Sequence, residues 1–169
     1  MSDWRQVFIS EGLFGVLDHG DISTETADFS NGLVAPMDRG AFILTGINTG
    51  YVRVETRVLD AHPDVEAEAD DWEEVVEVSV HAPAGDLKVE SLDLGPDTVS
   101  VQSLSPSGPD WYRLRVHSRG REILRDKASM EPVEDYLLVV WQAPTAVATI
   151  LRSSEYIERR LQTYLPHSE

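Results

Sequence analysis

The side chains with the widest chemical range in this chain are its histidines: His19, His62, His81, His117 and His167. No two stand as H-x-H or H-x-x-x-H, the spacings that turn two imidazoles toward one metal on a strand or a helix turn. His81 and His117 each end the outward face of an alternating segment, so they approach one another only if those segments are neighbours; otherwise both are surface imidazoles. Asp18-His19-Gly20-Asp21 contains ligand-type residues but has the composition of a turn. Cysteine is absent, which removes disulfides, thiolate nucleophiles and cysteine-bound metals together. There is no G-x-S-x-G elbow, no S-x-x-K and no glycine-rich phosphate loop. No catalytic residue, metal or cofactor is expected. An enzyme would have to assemble its site from loops, around His19 or His117.

Charge is more informative. The chain carries 14 Lys and Arg against 30 Asp and Glu, a formal net charge of −16. The acids are concentrated before residue 113, whereas the remainder is nearly balanced. Asp64, Glu66, Glu68, Asp70, Asp71, Glu73, Glu74 and Glu77 follow one another with no basic residue between them. Like charges at that density resist compaction, so the part before Trp72 is expected to be an exposed loop. It lacks the D-x-[DN]-x-[DN]-G order of a calcium loop. A negative field of this size repels nucleic acid and anionic membrane, and it attracts and steers a basic protein partner. Asp64, Glu66, Glu68, Asp70, Asp71, Glu73 and Glu74 are therefore the candidate binding surface. Arg113, Arg115, His117 and Arg119 form the alternative, a basic strand face for a small ligand or for self-association as a homodimer. For Arg113 and Arg115 the sequence also offers a structural use, as cross-strand partners of Glu77 or Glu55.

These residues must be held by strands. Val76, Val78 and Val80 alternate with Glu77, Ser79 and His81, the period of a strand with one face on a core. Tyr51–Val58 and Trp111–His117 alternate likewise. Tyr136–Trp141 is apolar on both faces, which suits a central strand covered twice. Ala41–Thr45 reads as a buried strand, and Leu33-Val34-Ala35 as a short one. Residues 4–17 hold a first strand or strand pair. Ala82–Asp86 reads as the turn of a hairpin joining the central strand to Leu87–Glu90, and Val99–Val101 as a further short strand. Tyr112–Val116 and Tyr136–Trp141 are the expected neighbours of the central strand, and Trp72 its anchor at the point of entry.

After Pro144 the period becomes helical. Val147, Ile150, Leu151, Ser154, Ile157, Leu161 and Tyr164 share one stripe, which predicts a helix over about 145–164. The whole, 1–169, reads as one mainly β domain. It is a two-sheet antiparallel sandwich or open barrel over about 4–144 with one C-terminal amphipathic helix. No signal peptide or membrane-length apolar run is visible, so a cytoplasmic protein is expected.

Three segments, Asn31–Ala35 with Thr45–Gly50, Trp72–Ser79, and Tyr112–Arg121 with Glu134–Leu137 and Val140–Pro144, follow one another in an order that resembles a family of uncharacterised actinobacterial β-rich proteins. The resemblance spans most of residues 31–144. More loosely, the β-rich layout and acidity are similar to competence protein J-like proteins, which inhibit a DNA-entry nuclease. That second resemblance implies a non-enzymatic protein of inhibitor or immunity type. Neither brings a catalytic residue to this chain.

Overall fold

The computed structural model describes residues 4–63, 71–92, 103–155 and 157–159. In chain order the strands are β1 (Arg5–Ile9), β2 (Leu13–Asp18), β3 (Val34–Pro36), β4 (Ala41–Leu44), β5 (Thr49–Leu59), β6 (Glu74–Ala82), β7 (Leu87–Glu90), β8 (Asp110–Arg119), β9 (Ala128–Ser129), β10 (Asp135–Gln142) and β11 (Thr149–Arg152). They form two sheets. The larger runs β1-β5-β10-β8-β6-β11, with β9 beside β5, and the smaller runs β3-β4-β2-β7. The mainly β two-sheet expectation holds. Every pairing is antiparallel except β5 with β10 and β5 with β9, which are parallel.

The alternation assigned to β6 is realised: Val76, Val78 and Val80 are buried in the core between the sheets. Beside them on the same face lie Tyr112, Leu114 and Val116 of β8 and Tyr136, Leu138 and Val140 of β10, and across the core are Phe14, Val16, Ile43 and Val89 of the smaller sheet. β10 lies between β5 and β8, as its two-faced apolar run requires. Its second face, Leu137, Val139 and Trp141, packs under Trp72, Trp4, Leu59 and Ala143. Trp72 is thus the anchor the sequence suggested.

Three connections depart from the sequence reading. β6 and β7 do not form a hairpin. β6 is flanked by β8 and β11, and β7 pairs with β2 in the other sheet. The turn between them changes sheets, and the Asp18 carboxylate holds it by accepting the Ala84 and Asp86 amides at 2.6 and 2.8 Å. β10 is not next to β6, because β8 stands between them.

The third departure is the C-terminal helix, which is shorter than 145–164 at its start. Thr149–Arg152 is a strand completing the edge of β6, with Thr149 opposite Glu77 and Ile150 opposite Val76. Pairing there satisfies a row of backbone groups that β6 would otherwise present unpaired. Helical backbone begins only at 155. Ser154 caps it, its hydroxyl accepting the Ile157 amide at 3.3 Å, and Ile157 is fully buried in the core. The expected short strand at Val99–Val101 lies outside the described residues.

Candidate functional site

The outer face of the larger sheet carries the basic set expected from the sequence, Arg113, Arg115, His117 and Arg119. Because β5, β10, β8 and β6 lie side by side, their outward residues fall into rows. One row is Arg53, Asp135 and Arg119; the next is Glu55, Leu137, His117 and Val75; the third is Arg57, Val139, Arg115 and Glu77; the fourth is Leu59, Trp141, Arg113 and Ser79. The first row is wholly charged, the other three mix apolar with charged or polar side chains, and rings lie over three of the guanidinium groups.

In the first row the Asp135 carboxylate is almost enclosed. It accepts Arg53 Nε and the second Arg53 nitrogen at 2.7 and 2.9 Å, and Arg119 Nε at 2.9 Å. Arg53 lies over the Trp4 ring at 5.7 Å and Arg119 over Trp72 at 4.5 Å, with Trp4 and Trp72 6.3 Å apart. Both guanidiniums are thereby fixed by one carboxylate and one ring each.

In the third and fourth rows Glu77 is the shared partner. It accepts Arg113 Nε at 2.8 Å and Arg115 Nε at 2.9 Å. Arg113 also donates to the Ser79 hydroxyl and to the carbonyls of Ala146 and Val147, and Arg115 sits 5.5 Å from the Trp141 ring. Burial pushes the Glu77 pKa up, but the hydrogen bonds and charges of Arg113 and Arg115 outweigh it, and the net shift is downward. The cross-strand pairing expected for Glu77 is present, with both arginines rather than one.

His117 is buried at 2 % exposure, not the surface imidazole its outward position suggested. Its ring lies 5.7 Å from Trp72, with Nδ1 3.1 Å from the Leu137 carbonyl oxygen. Antiparallel register sets His117 opposite Val75 and His81 opposite Trp111, so the two histidines stand at opposite ends of the β6–β8 pair. His81 stacks on Trp111 at 4.5 Å. His19 is exposed on the turn after β2, 3.4 Å from Asp86, and His62 meets the edge of Trp141. His167 lies outside the described residues.

Of the acidic candidates, Asp64, Glu66, Glu68 and Asp70 lie outside the described residues. Asp71 and Glu73 are exposed, and the Glu73 carboxylate accepts the Gly120 amide at 2.6 Å. Glu74 is no surface acid. It is 2 % exposed on the core side of β6 and bound by Arg121. Among the described residues, no three His, Asp or Glu side chains are grouped to hold a metal, and no helix is long and apolar enough to cross a membrane.

Trp4, Arg53 and Asp135 were not singled out from sequence. The available signal was parity, since Arg53 and Asp135 share the outward phase of Tyr51 and Leu137.

Removing Glu77 strands two enclosed guanidiniums. Glu77→Ala is expected to cost about 1.5–3 kcal/mol, with the Arg115→Ala cost falling short of additive in the double variant. The folded-state pKa is depressed, so this stabilisation is complete above the unfolded glutamate value and is lost as pH falls through the folded one. Urea titrations of the four proteins at neutral and acid pH measure both effects; additive losses at neutral pH would refute the pairing.

No protein-family model matches the chain, and no curated protein matches it. Among solved structures, a chain described as crocagin biosynthetic gene J is similar with a TM-score of 0.46 and 12 % identity, over 85 % of this chain and 99 % of that one.

Proposed function

We propose that this is a non-catalytic acidic binding protein that occupies a basic protein partner, as an inhibitor of a nuclease or an immunity protein does. The observation that supports it is where the positive charges go. Arg113, Arg115 and Arg121 are enclosed, each spent on a buried carboxylate, and Arg53 and Arg119 are tied to Asp135. A chain with net charge −16 thus uses much of its small stock of cations inside the fold. Late in the acidic run, the carboxylates of Asp71 and Glu73 are exposed and pair with no basic side chain among the described residues, Arg119 reaching Asp71 at its backbone carbonyl alone. A surface of that kind accelerates encounter with a cationic partner and is weakened by salt. The loose resemblance to competence protein J-like inhibitors points the same way. The alternative reading, a small-ligand site on Arg113 and Arg115, is disfavoured because those groups already donate to Glu77, Ser79 and backbone carbonyls.

The test is capture from the native cytosol by wild type and by a variant with Asp64, Glu66, Glu68, Asp70 and Asp71 changed to Asn or Gln. Wild type is expected to retain a basic protein with a fast association rate that falls steeply as ionic strength rises from about 0.01 to 1 M. The variant should fold as well and associate more slowly. Equal capture by both proteins at low and high salt would remove the acidic surface from the proposal. Recovery of nothing but a second copy of the chain would replace it with self-association.

A further inference from the structure

At one end of the sandwich a cleft of about 340 Å3 opens between the β1–β2 turn, the β4–β5 turn and the loop before β9. Leu13, Phe29 and Leu44 give it apolar walls, and Glu11, Asn48 and Asp126 are its exposed polar lining. Backbone hydrogen bonds join the three segments. The Gly12 amide donates to the Asn48 carbonyl at 2.9 Å, the Thr45 amide to the Gly12 carbonyl at 2.8 Å, and the Asp126 amide to the Gly46 carbonyl at 2.8 Å. The space is therefore built into the fold and needs little ordering to receive a ligand.

Its chemistry is one-sided. Both ionisable residues that line it are acids, and among the described residues neither carboxylate has a hydrogen-bond or ion-pair partner. Arg125, beside Asp126 in the chain, is turned to Glu122 instead. Phe29 is half-buried and backed by Phe42 in a stacked pair, so one side of its ring is supported. An aliphatic stem ending in a planar cation fits these surroundings. Methylenes lie against Leu13 and Leu44, and the guanidinium takes both the carboxylates and the face of Phe29.

We propose that this cleft receives an arginine side chain presented by a basic protein partner. The identity of the occupant as a partner rests on the binding-protein reading above; the cleft and its preference do not. It is a second contact point, made of residues other than Asp64–Glu73.

The test uses the full chain, isotope-labelled, titrated with N-acetyl-arginine amide and with N-acetyl-citrulline amide, which has the same shape and no charge. The arginine probe is expected to give saturable amide shifts confined to Gly12, Gly46, Ile47, Asn48 and Asp126. Its affinity should drop at least about tenfold in E11Q/D126N, and the citrulline probe should produce no saturable shift. The amide spectrum of E11Q/D126N reports in the same experiment that the variant is folded. Shifts scattered over exposed acids around the molecule, equal response to the two probes, or undiminished affinity in E11Q/D126N would each overturn the proposal. The titration needs no partner, so it succeeds or fails independently of the capture experiment.

Discussion

Replacing Arg121 by methionine is expected to destabilise the protein by about 3–5 kcal/mol, the cost of breaking a buried ion pair from one side. The Arg121 side chain is 1 % exposed and that of Glu74 3 %. Nε and one terminal nitrogen of Arg121 donate to the two Glu74 oxygens at 2.6 and 2.8 Å, while the other terminal nitrogen donates to the Gly32 and Leu44 carbonyls at 3.0 and 3.1 Å. Methionine fills the stem but leaves a carboxylate whose other partners among the described residues are the hydroxyls of Ser118 and Ser154. Changing Glu74 to leucine as well removes the stranded charge. Arg121→Met/Glu74→Leu should therefore be clearly more stable than Arg121→Met, since a buried pair replaced by apolar residues of similar volume is often neutral. Urea unfolding followed by tryptophan fluorescence measures the three differences. A double variant no better than the single would assign the loss to the two carbonyls instead.

The pair also carries a pH signature. Burial raises the Glu74 pKa, but the hydrogen bonds and charge of Arg121, with the Ser118 and Ser154 hydroxyls, bring it below the ordinary glutamate value. A depressed folded-state pKa contributes stability that is present above the unfolded pKa and disappears as pH falls through the folded one. Wild type should lose this component in acid, and Arg121→Met/Glu74→Leu should not.

Glu74 shows what the sequence makes legible. In sequence it reads as one more member of an acidic run. Yet it shares the parity of Val76, Val78 and Val80, and Ser118, opposite it in register, shares that of Leu114 and Val116. Carrying each alternation one or two residues further places both on the core side. What sequence does not disclose is the cation that makes burial tolerable, because Arg121 lies beyond the end of β8 and reaches Glu74 only after the sheet has formed. Glu77, on the opposite parity, was readable together with its partners because cross-strand neighbours follow from alternation alone. The C-terminal helix was over-extended for a related reason. Ile150 and Leu151 fit a helical stripe, and only the open edge of β6 decides that they form a strand. The cleft was not legible at all, since its lining comes from separate turns that meet only in the folded chain.

The second large effect is expected at Glu134, whose side chain reaches the same end of the molecule from within. Fully buried, it accepts the Gly46 amide at 2.9 Å, the Ile47 amide at 2.7 Å and the Tyr136 hydroxyl at 2.6 Å. Gly46 has no room for a side chain there, as a Cβ would fall 2.0 Å from the Arg121 carbonyl oxygen. The β4–β5 turn is thus pressed against the chain after β8 and held by one carboxylate. Glu134→Ala orphans three buried donors at about 1–3 kcal/mol each, together at least about 3 kcal/mol. Glu134→Gln should rescue only part of this, because its amide nitrogen would confront a donor. Tyr136→Phe removes one donor and should cost about 0.5–1.5 kcal/mol. The diagnostic measurement is hydrogen exchange. Gly46 and Ile47 amides should lose protection in Glu134→Ala while core amides of β8 and β10 retain theirs, even where global stability is restored with a stabilising osmolyte. Both residues also line the cleft, so arginine amide should bind Glu134→Ala more weakly although Glu11 and Asp126 are intact. Unchanged protection at Gly46 and Ile47 would mean that the turn is held by its backbone contacts alone and that Glu134 only fills space.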